Sequence, residues 1–219
     1  EIVCSLAWLP SSGNILATGT SYGRLQIWDV NTKKLMRTMT APVGGDEPAR
    51  ARLPAVAWNQ HILTSGSKYG WIRHNDVRQE KYAVAAVRGH NQEVCGLAWS
   101  PDGSHLASGG NDNYLNIWDG TSTTQPIHSL DSHVSAVKAV AWCPWKSNLL
   151  ASGGGVNDKY LRFWSSSTGG NIKAIDTGSQ VSGIVWNEEH REIITGHGEP
   201  YHQLTIWKYP NITKVANLQ

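Results

Sequence analysis

Tryptophan recurs in this chain at an interval that few architectures can use. Five of the eleven tryptophans, Trp8, Trp58, Trp99, Trp142 and Trp186, end short apolar runs and stand 50, 41, 43 and 44 residues apart. A second set, Trp28, Trp118, Trp164 and Trp207, follows each of these by 19 to 22 residues, with Asn75 in the corresponding place of the second unit. Trp71 and Trp145 lie outside both sets. A bulky aromatic side chain returning every 44 residues or so marks a repeated supersecondary unit that buries its apolar surface against its neighbours rather than within itself.

The unit is clearest from Gly89 to Asp119. It opens on Gly-His, continues as an apolar run to Ala98-Trp99, and turns at Pro101-Asp102-Gly103. A second short run follows, then a polar corner at Asn111 to Asn113 and a third run closing on Trp118-Asp119. Runs of about five residues rich in β-branched and aromatic side chains, cut by Gly, Pro, Asn and Asp, read as strands joined by tight turns. This is the pattern of a WD40 repeat, which folds as one four-stranded blade. The chain is therefore predicted to be all-β, a WD40 β-propeller segment of five four-stranded blades over about 1–43, 53–88, 94–131, 137–177 and 181–219. The link after the first blade is about seven residues longer than the later ones, and its Gly, Pro and mixed charges predict an exposed, mobile insertion over 44–52.

A net charge of +2 with no basic run excludes an electrostatic nucleic-acid binder. No stretch is long and apolar enough to span a membrane as a helix, and no signal peptide opens the chain. Cys4, Cys95 and Cys143 are read as small buried thiols in equivalent first strands, suited to a reducing compartment. Without paired Cys/His spacing no metal site is expected, and no cofactor either.

Two sets of polar residues repeat in register. His90, Ser108, Asp112 and Trp118 recur as His133, Ser152, Asp158 and Trp164, with Asp six residues before Trp in both. A Ser/His/Asp set invites comparison with a hydrolase, but recurrence in successive blades favours a structural tetrad: indole N–H to hydroxyl, hydroxyl to imidazole, imidazole to carboxylate. His74 and Asp76 form a further His/Asp pair with no nucleophile spaced beside it, and no catalytic residue is assigned. The Gly-rich turns SGGNDN and SGGGVND join second to third strands on one face; the Ser-to-Asp interval grows from four to six residues, which raises the second loop.

The strings HNQEVCGLAWSPDG, LASGGNDN, AVKAVAWCPW, LLASGGG, GSQVSGIVW, ITGHG and LTIWKYP together resemble the Fizzy-type activators of the anaphase-promoting complex, and CPW is similar to the mitotic branch of that family. The resemblance implies a seven-bladed propeller, of which these five blades would be the middle. It also implies a substrate-recognition co-activator of a ubiquitin ligase, working in cytoplasm and nucleus. Its implied partners are anaphase-promoting complex subunits, substrates such as cyclins and securin that bear KEN or destruction-box degrons, and spindle-checkpoint proteins. Asn111, Asn113 and Gln180 match the family's KEN-binding positions, while Val156 stands where the family usually has Thr. The competing expectations are a WD40 scaffold that reads no degron and, with less support, a propeller enzyme.

Overall fold

The computed structural model describes residues 1–40, 48, 50–120 and 124–218, and among these the chain consists of twenty strands and no helix. Blade one is β1 (Val3–Trp8), β2 (Ile15–Thr20), β3 (Arg24–Asp29) and β4 (Lys34–Thr40). Blade two is β5 (Ala55–Asn59), β6 (Ile62–Gly66), β7 (Trp71–Asp76) and β8 (Ala83–Arg88). Blade three is β9 (Val94–Trp99), β10 (His105–Gly110), β11 (Leu115–Asp119) and the short β12 (His128–Leu130). Blade four is β13 (Val137–Trp142), β14 (Leu149–Gly154), β15 (Tyr160–Ser165) and β16 (Asn171–Asp176). Blade five is β17 (Val181–Asn187), β18 (Glu192–His197), β19 (Leu204–Lys208) and β20 (Thr213–Leu218). Each blade is an antiparallel sheet in chain order.

Local chemistry fixes the turns. After β9, Asp102 accepts from the Ser100 hydroxyl at 2.6 Å and from the Ser104 amide at 3.0 Å, while the Gly103 amide closes on the Ser100 carbonyl at 2.9 Å. Gly103 there has φ 70°, a conformation that a Cβ disfavours, which is why Pro-Asp-Gly ends the strand where it does.

The apolar core lies between blades. The middle strands are the most buried, β14 over its whole length, and Trp118, Trp164, Phe163 and Leu150 are almost fully enclosed. Adjacent inner strands touch in the order β1, β5, β9, β13, β17, and among the described residues β17 and β1 share no comparable contact. Five blades thus form an open arc, and the inner strands at its two ends expose Leu6, Trp8 and Val185.

Each seam between blades is tied by an indole. Trp58 Nε1 donates to the Ala7 carbonyl at 3.1 Å, Trp142 Nε1 to Ala98 at 2.9 Å and Trp186 Nε1 to Ala141 at 3.2 Å, so the Ala-Trp pairs of the repeat are donor and acceptor in successive joints. The joint between blades two and three differs: Trp99 Nε1 donates to Thr64 Oγ1 at 3.0 Å, and Thr64 meets His74 Nδ1 at 2.9 Å. Thr64 Oγ1 thus accepts from Trp99 and shares one further hydrogen bond with His74 Nδ1, while His74 Nε2 is buried without a hydrogen-bond partner. His74 does not pair with Asp76, whose carboxylate is taken by Arg78 and Gln79.

Burial pushes the His74 imidazole down to about 4 from its ordinary 6.5. Between these values the unfolded chain holds a proton that the folded chain refuses, so stability contributed by neutral His74 is present above pH 6.5 and lost as pH falls toward 4. The loss is expected to be about 3 kcal/mol. Urea unfolding at pH 7.5 and pH 4.5 checks this; His74→Phe should flatten that part of the difference, and an unchanged pH dependence in the variant contradicts the assignment.

One expectation needs correction. Cys143 is buried but lies just past β13, in the turn whose Lys146 amide bonds the Cys143 carbonyl at 3.2 Å, whereas Cys4 and Cys95 sit within β1 and β9 and are only half-buried. Of the expected insertion, Pro48, Arg50 and Arg52 are exposed, Ala51 is buried, and Arg52 pairs with Glu93. Residues 44–47 and 49 of that insertion, and the expected blade ends at 43 and 219, lie outside the described residues.

Candidate functional site

In an antiparallel blade the turn between second and third strands lies at the same end as the link from the fourth strand to the next blade. Blades three and four place their polar sets at this end. In blade three Trp118 Nε1 donates to Ser108 Oγ at 2.9 Å, Ser108 meets His90 Nε2 at 2.8 Å, and His90 Nδ1 meets Asp112 Oδ1 at 3.0 Å. In blade four the corresponding distances are 2.7 Å (Trp164 to Ser152), 2.7 Å (Ser152 to His133) and 2.6 Å (His133 to Asp158). One proton arrangement satisfies every contact: indole to serine, serine to Nε2, Nδ1–H to carboxylate.

Each carboxylate also takes a backbone amide of the link, Asn91 at 2.8 Å in blade three and Val134 at 3.3 Å in blade four. The histidine thereby pins the link from the preceding blade onto the turn of its own. Ser108 and Ser152 are fully buried and their hydroxyl protons are committed to histidine, so neither is placed to attack a substrate.

Blade four carries a member that spacing did not reveal. Arg162 Nη1 donates to Asp158 Oδ2 at 2.7 Å and lies 2.9 Å from His133 Nδ1, with its guanidinium 4.6 Å from the centre of the Tyr160 ring. Burial raises the Asp158 carboxyl, but the His133 and Arg162 hydrogen bonds outweigh it and hold the group at about 2. Burial is the larger influence on His133 and moves it below its ordinary value. Blade five keeps a shortened set: Trp207 Nε1 donates to Thr195 Oγ1 at 2.8 Å, and Thr195 meets His197 Nε2 at 2.7 Å. Here the histidine comes from β18 itself and not from the link that feeds the blade.

The four residues singled out for peptide binding all fall at this end. Asn111 and Asn113 occupy the β10–β11 turn, Val156 the β14–β15 turn, and Gln180 the link into β17. Asn111 is exposed, its Nδ2 donating to Gln92 Oε1 at 2.9 Å and its backbone amide to the Glu93 carbonyl at 2.8 Å. Gln92 is thus part of the rim, although no motif pointed to it. Asn113 is half-buried with φ 72°, a turn geometry that asparagine tolerates. Val156 is 45% exposed on the longer loop. Gln180 is half-buried; its amide donates to the Glu199 carbonyl at 3.1 Å and its carbonyl accepts from Gly198 at 3.0 Å, fixing where its side chain starts. The rim therefore presents amides, which both donate and accept, on turns held by buried polar sets.

A cavity of about 580 Å³ opens at the opposite end, lined by Trp58, Asn59, His61, Trp99 and Asp102 among others, and it touches none of these rim residues. No group of three or more His, Cys, Asp or Glu able to hold a metal occurs among the described residues. No helix there is long and apolar enough to cross a membrane.

The model of the family described as the CDC20/Fizzy WD40 domain matches residues 1–219, the whole chain. The chain belongs to that family. It is 46% identical over 221 residues to "Cell division cycle 20.1, cofactor of APC complex" of Arabidopsis thaliana, an alignment covering 99% of this chain and 47% of the relative. It is 45% identical over 220 residues to "Anaphase-promoting complex subunit cdc20" of Dictyostelium discoideum, covering 100% of this chain and 42% of the relative. A chain of the solved structure "Crystal Structure of Mitotic Checkpoint Complex" superposes with a TM-score of 0.91 at 43% identity, over 99% of this chain and 64% of that one. The chain spans about half the length of these curated relatives. The Fizzy-family match and the open five-blade arc agree in fold: this is a WD40 propeller segment.

Proposed function

We propose that this Fizzy-family segment is the peptide-reading part of a non-enzymatic substrate-recognition co-activator of the anaphase-promoting complex, of the mitotic branch, acting in cytoplasm and nucleus. It receives KEN degrons on the rim formed by Asn111, Asn113, Val156 and Gln180. The observation that carries the reading is the location of all four at one end of the blades, Asn111, Asn113 and Val156 on turns beside buried tetrads and Gln180 on the link into β17. A Lys-Glu-Asn segment offers an ammonium, a carboxylate and an amide, each of which a rim amide can meet. The kinship with proteins named as cofactors and subunits of the anaphase-promoting complex, and the likeness to a chain of a mitotic checkpoint complex, support ligase subunits, cyclin- and securin-like substrates and checkpoint proteins as partners. Destruction-box recognition rests on that kinship alone.

So small a footprint gives a dissociation constant of about 1–300 μM, or −8 to −5 kcal/mol. Selectivity then comes from several degrons engaging together through effective concentration. Titration of a labelled KEN peptide into the full-length protein tests the reading. Asn111→Ala with Asn113→Ala should weaken binding by about tenfold or more, and Val156→Thr should tighten it by about threefold by adding a hydroxyl contact. Unchanged affinity in the double variant contradicts the proposed site.

A further inference from the structure

Three blades carry the same short pattern at the third strand, an aromatic residue followed two positions later by a polar one, which is arginine in blades two and four and asparagine in blade three. In blade two Arg73 lies 5.3 Å from the Trp71 ring, and in blade four Arg162 lies 4.6 Å from the Tyr160 ring. The register is common to all: Arg73 pairs with Ser65, Arg162 with Ser152, and Asn116 of blade three with Ser108. Blade three thus has the aromatic platform, Tyr114, and the carboxylate, Asp112, that flank the guanidinium of blade four. Its side chain between them is the much shorter Asn116.

The missing length leaves a hollow. A cavity of about 150 Å³ lies there, lined by Asp112, Tyr114, Asn116, Arg88, Gly89 and Ser129 among others. That is several times the space of one water molecule. Asn116 is 4% exposed; its Nδ2 donates to the Gly89 carbonyl at 2.8 Å, while its Oδ1 is buried with no hydrogen-bond partner. Asp112 accepts from His90, the Asn91 amide and the Tyr114 amide, and among the described residues no lysine or arginine pairs with it. Burial raises its carboxyl, but the His90 hydrogen bond and its other partners leave it below the ordinary value, so the hollow holds a carboxylate. Tyr114, 40% exposed, leaves the mouth open to solvent.

We propose that this hollow on blade three is a receptor for an arginine side chain of a bound peptide, whose guanidinium takes the place that Arg162 fills in blade four. It stacks on Tyr114 and donates to Asp112 and Asn116 Oδ1. A planar, always-charged fork suits a site that combines a ring face with two acceptors. The assignment stands on the internal comparison between blades and does not depend on the KEN reading.

The probe is Nα-acetyl-arginine amide, titrated into the protein while the Asn116 side-chain amide and Tyr114 are followed by NMR, with the neutral Nα-acetyl-citrulline amide as control. Saturable shifts are expected for arginine, with a dissociation constant of about 1–10 mM as befits a single side chain, and none for citrulline. Tyr114→Ala, at an exposed position, should weaken the effect about threefold. Asn116→Arg should abolish it and raise Tm by about 2–4 °C, because the chain then fills its own hollow as blade four does. Equal response to citrulline, persistence of binding in Asn116→Arg, or a lower Tm in that variant overturns the proposal. So does binding seen only after Arg88→Ala, which would mean that Arg88 occupies the hollow.

Discussion

Gly70→Ala is expected to lower the free energy of unfolding by about 4 kcal/mol or more. Gly70 has φ +85°, where a Cβ is strained whatever the space around it. Here there is also no space: the Cβ would collide with the His90 carbonyl oxygen and come within 2.7 Å of its carbon and 3.0 Å of the Gln92 carbonyl oxygen. The obstruction is backbone, and it is held. Gly89 and His90 both donate to the Gly70 carbonyl, at 3.0 and 3.1 Å, and the His90 ring is fastened to Ser108 and Asp112. Relief in the turn of blade two therefore comes only by loosening the link that enters blade three. Gly183→Ala supplies the contrast, since nothing lies within 4 Å of a Cβ there, and it should change stability by less than about 0.5 kcal/mol. Urea unfolding of both variants checks the pair; a Gly70→Ala protein as stable as its parent would show that the link shifts at little cost.

The second large effect is Asp158→Ala, expected to cost about 3–5 kcal/mol against about 1–3 kcal/mol for Asp112→Ala. Both substitutions leave a buried histidine without its acceptor. Only the first also strands a cation: Arg162, with its side chain 11% exposed, loses the carboxylate 2.7 Å from its Nη1. Combining Asp158→Ala with Arg162→Met should recover part of the loss by removing the orphaned charge. Equal costs for the two aspartates, measured by denaturant unfolding under the same conditions, would show that the guanidinium contributes nothing. Acid acts in the same direction. Asp158 is ionised down to about pH 2 in the folded chain but only to about 3.8 when unfolded, so its contribution is complete above 3.8 and is lost as pH falls toward 2.

Strands, turns and blade count were legible because they follow from spacing: a Trp near the end of each inner strand, preceded by Ala in four of the five, and Gly, Asn or Asp at the turns are local signals repeated along the chain. The rim residues were reachable only through family resemblance, since Asn111 and Asn113 taken alone are ordinary turn asparagines. What escaped was chemistry between positions with no shared motif. Arg162 completes a buried set in blade four, yet at its register the chain carries Gln26, Arg73, Asn116 and Thr205, so no repeat consensus marks it. The aromatic-x-Arg pattern at Trp71-x-Arg73 and Tyr160-x-Arg162 was the available signal. Cys143 was placed in a strand by analogy with Cys4 and Cys95, although Trp142 before it already ends that strand. Ala51 lies in the irregular link as its loop-like surroundings suggest, and its burial, against the backbone beside Gly23, is a tertiary effect that composition does not carry.

The indole ties between blades have a consequence for how this architecture can be edited. Three of the four seams end on main-chain oxygens, which every amino acid supplies, so no replacement at Ala7, Ala98 or Ala141 except by backbone distortion deletes the acceptor. The seam between blades two and three ends on the Thr64 hydroxyl, and Thr64→Val would unfasten it with one atom changed. Every joint depends on its indole donor, but on the acceptor side only this clasp is written in a side chain, and the same clasp is the one that His74 exposes to acid.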